Sequence, residues 1–183
     1  MLCVALVGGI AYQVSSSTPQ PAVPDMANTG VSTGERAPDI SSMSPREQFD
    51  RLFNRIMQAA ERGEAAEIER FTPMALGAYE QLDNRDVDAR YHVAVIHLQG
   101  GGLPQARALA DTILRESPGH LFGYIIRGTA AHMAGDTSAE LRAQRDFRRH
   151  YQTEMAANRV EYLEHKPVVE EFKSEAEKVK SEE

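Results

Sequence analysis

The sequence has little cysteine and no excess of positive charge, and both shortages exclude classes of function. One of its 183 residues is cysteine, so neither an internal disulfide framework nor a zinc site made of four cysteines is available. The formal net charge is −7, whereas a protein that binds nucleic acid needs a basic face. Four arginines stand close together, but acidic residues are interleaved among them, which is typical of a solvated helix face. These arginines are Arg142, Arg145, Arg148 and Arg149.

Motifs of catalysis are also missing from the sequence. It contains no GxSxG elbow, and none of its six histidines forms the HExxH pair that puts two metal ligands on one helical face. The glycine run 100–102 precedes Pro104 without the lysine of a phosphate-binding loop, so it predicts a turn between helices. Glu161 and His165 are one helical turn apart, and we expect a surface ion pair between them. We therefore predict no enzymatic activity, no cofactor, no metal site and no small-molecule substrate.

The segment 1–14, MLCVALVGGIAYQV, is almost wholly apolar. As a helix it would reach roughly 21 Å, which is short of the ~30 Å hydrocarbon core of a membrane. Three interpretations remain open: a trimmed or truncated transmembrane helix, a signal peptide, or a short hydrophobic arm packed on protein. We favour an uncleaved membrane anchor over residues 1–14. Lipidation of Cys3 would also explain a short anchor, but only Met1 and Leu2 precede the cysteine.

Residues 15–44 are rich in Ser, Thr, Pro and Gly and have no helical periodicity, which predicts an extended linker. The first charged residue after the apolar segment is Asp25, and the first arginine is Arg36. Cytoplasmic flanks of membrane segments collect Lys and Arg. We therefore expect the folded domain to lie in the periplasm or otherwise outside the cytoplasm.

The helical region is predicted to begin at Ser44-Pro45-Arg46-Glu47, which fits a capping box with proline at the first helical position. The apolar stripe that follows ends near Gly63. A short helix is predicted over Glu64–Phe71, and Thr72-Pro73 has the form of a further cap that starts a new helix. The polar stretch Asp83–Asp88 predicts a turn.

From residue 87 onwards a 34-residue period is visible. Gly101 and Gly135 are separated by one such period, and each follows one apolar-periodic segment and precedes another. Ala94 and Gly128 recur at the same offset, as do Ile113 and Phe147. Paired helices with a period of this length are typical of helical repeat arrays, so we predict repeat units over 87–120 and 121–154.

Residues at several positions of these units resemble the tetratricopeptide (TPR) family. The matching small, aromatic, apolar and proline positions are Ala94, Leu103, Ala106, Ile113, Pro118, Tyr124, Gly128 and Phe147. The departures from the family pattern are Arg90, His97, Ala131 and Glu140. The resemblance implies an all-α fold, a TPR-like α-α superhelix of about three helix pairs over 45–165. A charged helix in residues 166–183, with Val169, Phe172 and Ala176 on one face, is expected to cap the array.

In TPR proteins the first helix of each pair lines the concave face, so the resemblance gives candidate partner-binding residues. They are Asp88, Tyr91, Val95, Leu98, Phe122, Ile125, Thr129 and His132. The alternative is that these residues form an ordinary core stripe. The resulting hypothesis is a non-catalytic interaction module, anchored in a membrane through residues 1–14 as an accessory subunit of a larger membrane complex, for example a respiratory or photosynthetic one. A transient assembly factor or scaffold is the alternative.

Overall fold

The computed structural model describes residues 43–180, with side chains described up to residue 178. This part of the chain contains eight helices and no strand, so the all-α prediction is confirmed. The helices are α1 (Pro45–Glu61), α2 (Ala65–Glu80), α3 (Val87–Gln99), α4 (Leu103–Glu116), α5 (Leu121–Met133), α6 (Thr137–Ala156), α7 (Val160–Glu164) and α8 (Lys166–Lys180). None of the described helices is both long and apolar enough to cross a membrane. The anchor predicted for 1–14 and nearly all of the predicted linker lie outside the described residues.

The first six helices form three consecutive hairpins, α1–α2, α3–α4 and α5–α6. The first helix of each hairpin is followed by a glycine in the left-handed region: Gly63 has φ 69°, Gly101 75° and Gly135 69°. After α3, the amide of Gly102 donates to the carbonyl of His97 at 2.7 Å and that of Gly101 to Leu98 at 3.1 Å. This is the Schellman arrangement, which satisfies the last helical carbonyls and needs a residue without Cβ strain. Hence the glycine run 100–102 forms the predicted turn.

The last two hairpins follow the predicted period. Helices α3 and α5 begin one period apart, at Val87 and Leu121. Helices α4 and α6 are offset by the same period, since they begin at Leu103 and Thr137. The first hairpin departs from this spacing, because α1 begins at Pro45, more than one period before α3. The first helices of these two hairpins, α3 and α5, are both 13 residues long, and turns of equal length follow them.

The predicted break inside the first hairpin is wrong, because α2 runs without interruption through Pro73. Thr72 does not cap a new helix, since its hydroxyl donates to the carbonyl of Ile68 at 2.7 Å within the same helix. Proline lacks the N–H that would reach the carbonyl of Glu69. Pro73 and Glu69 are both exposed, so water can satisfy that carbonyl. The predicted start of α1 is confirmed, because the capping box at Ser44 is present.

Two apolar clusters form the core, and α3 belongs to both. Its Val93 and Ile96 pack into the cluster of the first hairpin, whereas its Ala94 and Leu98 pack into the cluster of α4–α8. This division is possible because a helix that is apolar around most of its circumference can be buried on several sides. Thus α3 joins the off-period hairpin to the two regular ones.

Helix α8 packs on α5 and α6. Its buried face includes Val169, Phe172 and Ala176, which are 0%, 7% and 0% exposed. The ring of Phe172 lies against Gly128 of α5, where a Cβ atom would come within 2.6 Å of the ring. The same Cβ would be 3.5 Å from Ala143 of α6, so Gly128 allows close approach of both neighbours. Of the four arginines on α6, only Arg148 is not exposed, and it donates to the carbonyl of Ala176.

Candidate interaction groove

A groove lies between the first helices of the hairpins and α8. It has a volume of about 980 Å³. Helices α1, α3 and α5 supply one side, and α8 supplies the other through Val168, Glu171, Phe172 and Glu175. These four positions of α8 follow the spacing i, i+3, i+4 and i+7, so they share one face of the helix. We call this feature the inner groove.

Seven of the eight predicted partner-binding residues line the inner groove. They are Asp88, Tyr91, Val95, Leu98, Ile125, Thr129 and His132. Phe122 does not line it, because its side chain is fully buried and its ring stacks on Tyr91 with 4.1 Å between the ring centroids. Tyr91 and Leu98 are only 5% and 6% exposed, so they support the groove from the core. The core interpretation is therefore confirmed for Phe122, whereas partner binding by the residues that line the groove stays a prediction.

Carboxylates dominate the charged side chains of the inner groove. The acidic lining residues are Asp50, Glu61, Asp88, Glu140, Glu164, Glu171 and Glu175. The lysine and arginine residues that line it are Arg46 and Lys178. Burial, and then the charge of Glu171, raises the pKa of Glu175 above its usual value. The groove therefore carries a negative field over an apolar floor, which favours cationic ligands.

A compact polar cluster lies in the inner groove, formed by Asp88, His92 and His165. Nε2 of His165 is 2.9 Å from Oδ1 of Asp88, and Nε2 of His92 is 3.1 Å from Nε2 of His165. Nε2 of His92 is 3.7 Å from the same oxygen of Asp88. The second carboxylate oxygen of Asp88 accepts a hydrogen bond of 2.6 Å from Arg46. We call the three residues the open cluster.

The fold places the open cluster by joining two distant segments. Asp88 and His92 lie one turn apart near the start of α3, and His165 is the residue between α7 and α8. The ring of His92 stacks on Phe53 of α1, with 3.9 Å between the centroids. Three helical segments therefore hold the two imidazoles and the carboxylate in one orientation.

Burial and charge shift the protonation of this cluster. Burial is the largest influence on His92, and it lowers the pKa of that imidazole to about 4. Burial alone would raise the pKa of Asp88, but the hydrogen bond from His165 and the nearby cationic groups lower it to about 2. At neutral pH Asp88 is therefore a carboxylate and His92 a neutral imidazole. Nδ1 of His92 is buried without a hydrogen-bond partner.

Sequence reasoning did not find the open cluster. The HExxH pattern requires two histidines one turn apart, whereas here a carboxylate occupies the first position, at Asp88. The third member, His165, lies 73 residues beyond His92, and only the tertiary fold brings them together. The predicted ion pair between Glu161 and His165 is wrong, because Glu161 contacts His120 at 3.2 Å and His165 contacts Asp88. The signal that could have found the cluster is the i, i+4 pair of Asp88 and His92.

Comparisons with protein-family models, with curated proteins and with solved structures found no match to this chain.

Proposed function

We propose that this chain is a non-catalytic protein–protein interaction module whose inner groove binds an amphipathic segment of a partner, apolar on one face and basic on the other. The single observation that carries this proposal is the combination of an apolar lining with seven carboxylates. The six of them other than Asp88 are called the acidic rim. An amphipathic helix laid in such a groove buries its apolar face against side chains such as Val95 and Met133. Its lysines or arginines then meet the acidic rim, which contributes specificity and association rate more than affinity.

The chain's architecture also supports an interaction role. Three hairpins end their first helices in the same glycine turn, and two of them repeat at a constant period. Arrays of this kind leave one curved surface of first helices free for ligands. We infer a TPR-like array in which α8 covers the flank of the last hairpin and also supplies one wall of the groove.

The setting of this module is a further part of the proposal. The apolar segment 1–14 and the absence of Lys and Arg before Arg36 favour a membrane-anchored accessory subunit with its folded domain outside the cytoplasm. The alternative is a transient assembly factor or scaffold. Purification in mild detergent distinguishes them, because a subunit is recovered at a constant ratio to one large assembly. An assembly factor is recovered in substoichiometric amounts.

The groove proposal can be tested with a matched pair of substitutions on α8. Glu171 lines the inner groove, whereas Glu177 on the same helix is exposed outside it. The probe is a labelled peptide helix with leucines on one face and lysines on the other, and its control carries glutamates in place of the lysines. We expect the lysine peptide to bind the full chain more tightly than the glutamate peptide. Glu171→Lys should weaken that binding several-fold, since one rim charge contributes up to about 1 kcal/mol, and Glu177→Lys should leave it unchanged.

Equal binding of the two peptides would contradict the acidic-rim argument. Equal effects of the two substitutions would show that net charge, and not the groove, attracts the peptide. A melting curve for each variant identifies any loss of binding that comes from unfolding.

A further inference from the structure

We propose that Asp88, His92 and His165 form a binding site for a divalent transition-metal ion such as Zn²⁺. Two imidazole nitrogens and one carboxylate oxygen are a ligand set that suits zinc and its neighbours, whereas Mg²⁺ and Ca²⁺ prefer sites made of oxygens. All three donor atoms lie within 4.8 Å of one another. The protein interaction proposed above does not depend on this site.

The distances among the three donor atoms match the edges of a coordination shell. Zinc binds imidazole nitrogen at about 2.0–2.1 Å and carboxylate oxygen at about 2.0–2.2 Å, so two ligands of a tetrahedral site lie about 3.3 Å apart. The three separations here are 2.9, 3.1 and 3.7 Å, and they scatter around that value. One ion can therefore reach all three atoms with little movement of the side chains.

A hydrogen-bonded network explains the same contacts less well, because too few protons are suitably placed. His165 has one proton on Nε2 to give, and the 2.9 Å contact with Asp88 uses it. Nε2 of His92, 3.1 Å away, then faces a nitrogen that has no free lone pair. If Nε2 of His92 carries a proton, its N–H group points at the N–H group of His165. If Nε2 of His92 carries none, its lone pair competes with Asp88 for the single proton of His165. A cation between the three atoms accepts a lone pair from each.

The buried Nδ1 of His92 has no hydrogen-bond partner, and this holds with or without an ion. That atom therefore does not decide between the two explanations. The surroundings of the Asp88 carboxylate and of the His92 ring do favour a metal site. Arg46 holds the second oxygen of Asp88 at 2.6 Å, and a hydrogen bond of this kind orients carboxylate ligands in metal sites. Phe53 stacks on the ring of His92 and fixes its plane.

A bound ion would connect α3 to the junction of α7 and α8. Because α3 and α8 supply opposite sides of the inner groove, the ion would fasten one end of the groove. Three protein ligands leave at least one coordination position for water or for a donor of the bound partner. Binding to the folded state alone stabilises it by mass action, so metal should raise the melting temperature.

The test uses the full chain, stripped with EDTA and then titrated with Zn²⁺ and with Co²⁺. We expect one Zn²⁺ per chain, a higher melting temperature and visible cobalt d–d bands of a low-symmetry site. Asp88→Asn and His165→Gln should weaken Zn²⁺ binding at least tenfold. His132→Gln is the matched control, because His132 also lines the inner groove but pairs with Glu140, at 3.1 Å, and it should bind like the parent chain.

A second variant keeps the test decisive if those substitutions reduce stability. His165→Cys replaces one ligand by a thiol, and its Co²⁺ form should show a cobalt–thiolate charge-transfer band that the parent chain lacks. Zn²⁺ binding that is equally strong in the parent, Asp88→Asn and His165→Gln would place the metal elsewhere and overturn the proposal. No change in melting temperature or cobalt spectrum of the parent chain would overturn it as well.

Discussion

Two polar clusters that contain histidine lie on either side of the short helix α7, and they differ in how completely their hydrogen bonds are satisfied. One is the open cluster in the inner groove. The other, which we call the sealed cluster, lies between the start of α5, the end of α6 and α7. Its members are His120, Glu154, Arg159, Glu161 and Tyr162.

In the sealed cluster the hydroxyl of Tyr162 and both ring nitrogens of His120 have hydrogen-bond partners. The hydroxyl of Tyr162 accepts from the amide of Leu121 at 2.9 Å and donates to Glu154 at 2.8 Å. Arg159 donates to the same carboxylate at 3.0 Å. Nδ1 of His120 accepts from the amide of Phe122 at 3.3 Å, so its Nε2 is left to donate to Glu161 at 3.2 Å. One tautomer of His120 satisfies all its contacts.

The open cluster is nearly as buried but is not satisfied in this way. His92 is 8% exposed and His120 is 0% exposed, yet only His92 has a ring nitrogen without a partner. The single proton on Nε2 of His165 cannot serve both the carboxylate of Asp88 and the ring nitrogen of His92, whereas every contact of His120 is satisfied by one tautomer. We therefore expect two roles: the sealed cluster holds α7 on the fold, and the open cluster binds a ligand. The predictions below test this separation.

The largest effect is expected at the aromatic ring that the two clusters share. Phe122 is fully buried, and its ring centroid lies 5.2 Å from that of His120 and 5.4 Å from that of His165. Phe122→Ala should destabilise the fold by about 3–5 kcal/mol, since it leaves a cavity between the clusters. Urea unfolding measures this change. Phe53→Ala, which removes a half-buried ring that stacks on His92, is the control and should have a clearly smaller effect. Equal effects would contradict the large cavity cost expected at Phe122.

A smaller effect is expected from a single oxygen of the sealed cluster. Tyr162→Phe removes the acceptor of the Leu121 amide and one donor to Glu154. Two buried groups lose a partner, and we expect a loss of about 2–3 kcal/mol in the free energy of unfolding. Tyr151→Phe is the matched control, because Tyr151 donates to Glu170 at a less buried position, and it should cost less than about 1 kcal/mol. A neutral Tyr162→Phe would mean that the sealed cluster does not hold α7.

Local features of the sequence predicted much of the fold. The capping box at Ser44 and the glycine turns depend on neighbouring residues, and the 34-residue period is visible in the spacing of residues along the chain. All three can therefore be predicted without tertiary information. The continuity of α2 was missed because Thr72-Pro73 has the same local form as a true helix start. Seven of the eight candidate residues line the inner groove, since helical spacing puts them on one face, and their binding of a partner stays a prediction. The two clusters were missed, because their full membership depends on which segments α7 and α8 contact in the folded chain.

A third prediction concerns the packing that positions α8, and with it the open cluster. Gly128→Ala puts a methyl group within 2.6 Å of Phe172, and the ring must move. Overpacking costs about 1–3 kcal/mol, of which the helix preference for alanine offsets up to about 1 kcal/mol. We expect a net loss of about 1–2 kcal/mol in thermal or urea unfolding, and weaker Zn²⁺ binding if the open cluster is displaced.

The control for that substitution is Gly77→Ala in the interior of α2. A Cβ atom at Gly77 meets nothing within 4 Å. Alanine there should stabilise the protein by about 0.5–1 kcal/mol. Opposite signs at the two glycines would support the close contact between α5 and α8, whereas stabilisation at both would contradict it.

The smallest expected effect is a difference in pH dependence. Burial lowers the pKa of His120 below its usual value of about 6.5, although the hydrogen bond and charge of Glu161 oppose this. The unfolded chain therefore binds more protons than the folded chain below about pH 6.5. His120 should consequently reduce stability as the pH falls from about 6.5 towards its lowered pKa, and stability should recover as the pH rises. His120→Asn removes this titration and keeps a side-chain acceptor at the start of α5.

The free energy of unfolding, measured by urea at several pH values between about 5 and 7.5, should therefore fall less steeply in His120→Asn than in the parent chain. His92 also has a lowered pKa and adds the same sign of pH dependence. It is present in both proteins, so the difference between their slopes isolates His120. Parallel slopes would mean that His120 has the same pKa folded and unfolded. In that case the bond to Glu161 would fully offset the burial, and the sealed cluster would carry no pH dependence from His120.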